Sequence, residues 1–123
     1  MTRRSQPTAA LQIQPRLRVR RGDDIALGPG KVDLLDAIEQ TGTLAGAAEA
    51  MGMSYMRAWT LVQTMNACFR EPLVETARGG RERGRATLTA TGRGVRDLYR
   101  RMEAAARQGI EPFWKELSAK LAP

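Results

Sequence analysis

Between Thr43 and Asn66 the chain reads TLAGAAEAMGMSYMRAWTLVQTMN, and this stretch restricts the fold more than any other. Two helices cross closely only where small residues meet, and Ala47 and Ala48 supply such residues. Gly52 follows four residues after Ala48 and offers the backbone freedom that a tight turn demands. Ser54 then provides a hydroxyl able to cap a new helix. The spacing predicts a helix from about Tyr55 to Phe69, ended by Pro72, which cannot continue it. Ala58, Val62 and Met65 fall on its inward face. Tyr55, Met56, Arg57, Thr60, Gln63 and Thr64 are left outward, and such side chains can read base edges or touch phosphates in a major groove. With Ser54 and with Thr43, the cap of the preceding helix, they form the candidate DNA-contacting set. Trp59 is assigned to packing, as a lone helical tryptophan usually is. The competing reading of this stretch is a plain three-helix core with a polar solvent face.

The flanks fix what surrounds that pair. Residues 1–14 are polar and basic and read as a flexible tail. Arg16 to Arg21 alternates, with Leu17 and Val19 opposite Arg16, Arg18 and Arg20, which predicts a half-buried strand. Gly22-Asp23-Asp24 is a turn, and Ile25-Ala26-Leu27 a short return strand. After Gly28-Pro29-Gly30, a stripe of Val32, Leu34, Leu35, Ile38 and Thr41 predicts a helix ended at Gly42. Thr43 to Met51 is the next. Beyond Pro72, Leu73–Ala77 and Ala86–Thr89 read as strands around a glycine- and arginine-rich loop. A long helix follows, beginning after Thr89 or Thr91 and running to about Gln108, with Val95, Leu98, Tyr99, Met102 and Ala106 on one face. Gly109 is expected to punctuate it. Ile110, Phe113, Trp114, Leu117 and Leu121 then form a last amphipathic helix. The expected domain is therefore 15–109, with 110–123 a separate terminal helix. The fold class is mainly α with a small β component: a winged helix-turn-helix with an N-terminal strand or hairpin.

Charge narrows the partner. The formal net charge is +7, which favours a polyanion. It is unevenly spread. Asp23, Asp24, Asp33, Asp36 and Glu39 make one stretch acidic, whereas Arg78, Arg81, Arg83 and Arg85 crowd into eight residues. A basic loop alone is usually a solvated hairpin. Behind a helix-turn-helix, it is expected to touch phosphates or enter the minor groove. The chain has no histidine and a single cysteine, Cys68, so neither a zinc site nor an internal disulfide can form within it. No phosphate-binding Walker loop or nucleophile elbow is present. No catalytic residue, metal or cofactor is assigned, and an enzyme is not expected. No apolar run approaches the roughly 18 residues of a membrane span. The expected setting is cytoplasmic, on the nucleoid.

The stretch from about Arg20 to Tyr99 resembles the N-terminal DNA-binding domain of ModE-type molybdate-responsive regulators, winged-helix proteins related in shape to the LysR-type domain. The residues that carry the likeness are Leu34-Leu35, Ile38, Thr41-Gly42-Thr43, Ala47-Ala48 and Gly52-Met53-Ser54-Tyr55. They continue through Ala58-Trp59, Met65-Asn66, Pro72-Leu73-Val74-Glu75, Gly79-Gly80, Leu88-Thr89 and Gly92. The resemblance implies a homodimer that presents two recognition helices to double-stranded DNA, paired through Val95, Leu98, Tyr99, Met102 and Ala106. Two departures stand out. Met56 occupies a position where such proteins commonly carry lysine, and Arg83 and Arg85 replace part of a more glycine-rich wing. Full-length regulators of this type carry C-terminal oxyanion-binding domains. With the sequence ending at Pro123, no molybdate site is expected in it. Two other readings fit the same pattern: a winged-helix protein-interaction module, and a sequence-independent architectural DNA-binding protein.

Overall fold

The computed structural model describes residues 10–77 and 84–123. An antiparallel hairpin comes first, β1 (Val19–Arg21) and β2 (Asp24–Leu27), with Arg21 opposite Asp24 and a register shift between Val19 and Arg20. Three helices follow: α1 (Pro29–Thr41), α2 (Leu44–Met51) and α3 (Tyr55–Cys68). A second antiparallel pair, β3 (Val74–Thr76) and β4 (Ala86–Leu88), is the wing, with Glu75 opposite Thr87. Helix α4 (Ala90–Ser118) closes the order. No helix among the described residues is long and apolar enough to cross a membrane.

The core sits where α1, α2 and α3 meet the wing. Val32, Leu34, Leu35 and Ile38 of α1 pack with Leu44, Ala47 and Ala48 of α2 and with Ala58, Val62 and Met65 of α3. Leu73, Val74, Ala86 and Leu88 cover that cluster from the wing side. The alanines do what their size predicts: Ala47 and Ala58 are fully buried, where a larger side chain would push α2 and α3 apart. Gly52 takes a left-handed φ of 68°, which lets the chain reverse in three residues before α3 begins. Its N–H caps α2 by donating to the Ala48 and Glu49 carbonyls.

Three sequence expectations need correcting. The first strand is only Val19–Arg21, and all three residues are exposed, because nothing among the described residues covers the outer face of this two-stranded hairpin. Leu17 alone of the alternating pair packs on the core. Thr41 is exposed rather than part of the apolar stripe, and its hydroxyl donates to the Ala37 carbonyl at 2.8 Å. Gly109 does not break the last helix: α4 is one helix of 29 residues that runs through Gly109 and Pro112. Pro112 withdraws one N–H from the Gln108 carbonyl. Gln108 is exposed, so water can take that place, and the apolar stripe on both sides favours continuation.

Candidate nucleic-acid interface

The helix expected to read DNA is held from both ends. At its start, the Ser54 hydroxyl accepts from the Arg57 N–H at 3.1 Å, as an N-cap should. At its end, the Asn66 side chain clamps the wing. Its Oδ1 accepts from the Leu73 and Val74 N–H groups at 2.8 and 3.2 Å, and its Nδ2 donates to the Val74 carbonyl at 3.0 Å. One amide thus satisfies three backbone groups of the incoming strand, and the wing cannot rotate freely about α3.

The wing is fixed from two further directions. At the turn between α1 and α2, the Gly42 carbonyl accepts from the Ala86 N–H at 3.0 Å, and Thr43 makes an isolated antiparallel bridge with Arg85. Behind it, the Thr89 hydroxyl caps α4 by accepting from the Gly92 N–H at 2.9 Å, and it donates to the Pro72 carbonyl at 2.7 Å. Gly92 must be glycine, since a Cβ there would lie 2.1 Å from the Leu73 oxygen.

Along α3, rotation of about 100° per residue places Met56, Thr60 and Gln63 on the outward line. Met56 is the most open of its apolar residues, at 63% exposure. Tyr55 and Trp59 lie on the wing flank and Arg57 and Thr64 on the opposite one. Gln63 and Thr64 are half-buried, and the Thr64 hydroxyl is spent on the Thr60 carbonyl at 3.0 Å. Thr43 is half-buried too, with its side chain accepting from the Gly46 N–H at 2.9 Å as the α2 cap. Trp59 is not a core residue: it is 38% exposed and lines a cleft of about 440 Å³ with Leu44, Tyr55, Thr76, Ala77, Gly84 and Arg85. The cleft separates the recognition helix from the wing. Arg78, Arg81 and Arg83 lie outside the described residues, so Arg85 is the wing arginine whose position is given.

Of the residues expected to pair two subunits, Tyr99 is fully buried in its own subunit, and its hydroxyl donates to the Leu17 carbonyl at 2.7 Å. Burial raises its pKa above the ordinary tyrosine value. Val95 packs against the same core and Ala106 is half-buried. The stripe is therefore divided. Val95 and Tyr99 are used internally, where the segment bearing Leu17 reaches them, while Leu98 and Met102 on the adjoining side stay exposed, with Phe113 at 71% and Leu117 at 53% farther along.

How the acidic stretch is used could not be read from spacing or composition. Asp33, Asp36 and Glu39 project from α1 toward α4. Arg100 pairs with Asp36 at 2.7 Å, Asp33 at 3.1 Å and Glu103 at 3.1 Å. Arg96 pairs with Glu39, with Asp97 at 3.1 Å and with Asp36 at 3.3 Å. Hydrogen bonding to Glu39 holds the Arg96 pKa above its ordinary value, and hydrogen bonding to Asp36 does the same for Arg100. The three α1 carboxylates are thereby engaged at the α1–α4 seam.

The pattern of bacterial regulatory helix-turn-helix proteins of the lysR family matches residues 30–93, from the start of α1 into α4. Over 73 residues the chain is 45% identical to the molybdenum-pterin-binding protein MopA of Rhodobacter capsulatus, covering 59% of this chain and 28% of MopA. It is 42% identical over 64 residues to the molybdenum transport protein ModE of Azotobacter vinelandii, covering 52% and 24% respectively. Against the DNA-binding transcriptional dual regulator ModE of Escherichia coli K12, identity is 32% over 79 residues, covering 64% and 30%. The chain spans less than a third of the length of these relatives. The fold is shared with the crystal structure of the CbnR_DBD–DNA complex at a TM-score of 0.54 and 23% identity, over 73% of this chain and 95% of that one. The helix-turn-helix, the wing and these similarities agree: the chain belongs to the lysR family of bacterial regulatory helix-turn-helix proteins.

Proposed function

We propose that the protein is a sequence-specific transcriptional regulator that binds double-stranded DNA as a homodimer. The observation that carries this reading is the outward line of Met56, Thr60 and Gln63 on a helix clamped at both ends, with a wing beside it. A rigid helix of that length fits a major groove of about 12 Å. Met56 can meet a thymine methyl, and Thr60 and Gln63 can exchange hydrogen bonds with base edges. Tyr55 and Arg57 flank them and contact backbone or neighbouring bases. Ser54 opens the helix toward a phosphate. Arg85, with Arg78, Arg81 and Arg83, anchors the wing on the backbone or in the minor groove.

The dimer is supported by the exposed apolar residues of α4. Leu98, Met102, Phe113 and Leu117 recur at spacings that share one helical face, and none is covered within the subunit. A second copy with the same stripe would cover them and set two recognition helices at a fixed separation.

Selection from a pool of random duplexes at about physiological salt tests specificity. A recovered motif with two related half-sites is expected. DNA bound without motif enrichment would favour an architectural role, and no DNA bound would favour a protein-interaction module. Arg57→Ala should weaken binding to the selected site more than to random DNA.

A further inference from the structure

On the flank of α3 away from the wing lies a second groove, of about 350 Å³. Met51, Met53 and Leu61 contribute apolar lining, and Arg16, Arg18, Lys31 and Arg57 supply the positive charge. Those cations come from three separate segments: the stretch leading into β1, the first turn of α1 and the first turn of α3. The Arg18 stem passes beside Gly28, 3.7 Å from where a Cβ there would stand. The Lys31 ammonium donates one of its three N–H groups to the Ile25 carbonyl and adds its charge to the groove. Among the described residues no carboxylate lies within ion-pairing distance of Arg16, Arg18 or Arg57. Arg96 and Arg100, in contrast, are wholly engaged by acids. Arginines brought together without counter-charge repel one another, and a phosphate relieves that repulsion with directed N–H donors.

Position decides which phosphate. Arg57 and Trp59 are separated by about 160° around α3. The Trp59 side faces the wing and the Arg57 side faces this groove. A duplex whose major groove receives the outward line of α3 presents one phosphate strand to each side. We propose that Arg16 and Arg18, on the Arg57 side of α3, form a second backbone anchor that grips the phosphate strand opposite the one held by the wing. This rests on the DNA-binding reading above and extends it to the segment before β1, to which the sequence assigned no contact.

The test is fluorescence anisotropy on a selected-site duplex and a random duplex, across about 50 to 200 mM salt. The proteins are wild type, R16A/R18A, R16K/R18K, and R101A/R107A as a control removing equal charge from exposed sites on α4. At about 0.1 M salt each lost phosphate contact should weaken binding roughly 5- to 10-fold, and two should flatten the log–log salt slope by about 1.8. The loss should be equal on both duplexes, because backbone contacts carry no sequence information. R16K/R18K should keep most of the slope. R16A/R18A binding within twofold of wild type, or matching R101A/R107A, would overturn the anchor while leaving DNA binding intact. A wild-type protein that binds neither duplex would instead overturn the reading beneath it. Inorganic phosphate, titrated calorimetrically without DNA, separates the free anion: saturable binding that needs Arg16 and Arg18, with an unchanged DNA salt slope, would also refute the anchor.

Discussion

The Asn66 amide donates to the Val74 carbonyl at 3.0 Å, so one side chain of the recognition helix sets where the wing begins. Asn66→Ala would strand that carbonyl and the two N–H groups on Oδ1, part-buried as they are. An unsatisfied backbone group costs about 1–3 kcal/mol, and water access at this edge tempers the sum. We expect a loss of about 2–4 kcal/mol in urea unfolding. Asn66→Asp keeps the acceptor and should lose less. Equal losses from the two variants would contradict the clamp.

Gly92 and Gly94 sit in the same turn of α4 and should respond oppositely. A Cβ on Gly92 collides with the Leu73 backbone at 2.1 Å, whereas a Cβ on Gly94 meets nothing within 4 Å. Gly92→Ala should unfold the wing–α4 joint or cost more than about 3 kcal/mol. Gly94→Ala should stabilise by up to about 1 kcal/mol through helix propensity. Thermal unfolding of the pair checks both signs.

The Arg100–Asp36 pair is short, at 2.7 Å, but its side chains are 40% and 33% exposed. Solvent screens such a pair. A double-mutant cycle with Arg100→Ala and Asp36→Ala should return a coupling below about 1 kcal/mol that falls as salt rises. A larger, salt-insensitive coupling would show that the network is drier than its exposure implies.

Tyr99 should make stability fall in alkali. Its pKa is raised by burial, so the folded chain holds the phenolic proton longer than the unfolded chain. Its contribution is complete below the unfolded value of about 10 and is lost as pH climbs through that value toward the folded one. Tyr99→Phe should remove this part of the alkaline decline. At neutral pH it should cost about 1 kcal/mol for the lost bond to the Leu17 carbonyl. Urea titrations at neutral and alkaline pH would reveal either effect.

The helix-turn-helix was legible in the sequence because its constraints are local. Ala47, Ala48, Gly52 and Ser54 act through residue size, φ and capping within a few positions, and each stands where those properties predict. The family likeness was legible for the same reason, since the motifs from Leu34 to Gly92 are short and contiguous. The limits of the last helix were not. Gly109 and Pro112 are breakers by local rule, yet the exposed helix tolerates both.

What only the tertiary structure decided concerns residues far apart in the chain. Tyr99 belongs to the core because Leu17, 82 positions earlier, presents its carbonyl to it. The acids of α1 meet Arg96 and Arg100 from about 60 residues away. Arg16 and Arg18 reach the side of Arg57 because β2, paired with β1, packs against α3. Periodicity specifies which face of a helix is apolar. It does not specify what covers that face, because coverage depends on chain crossings whose energy is spread over the whole core.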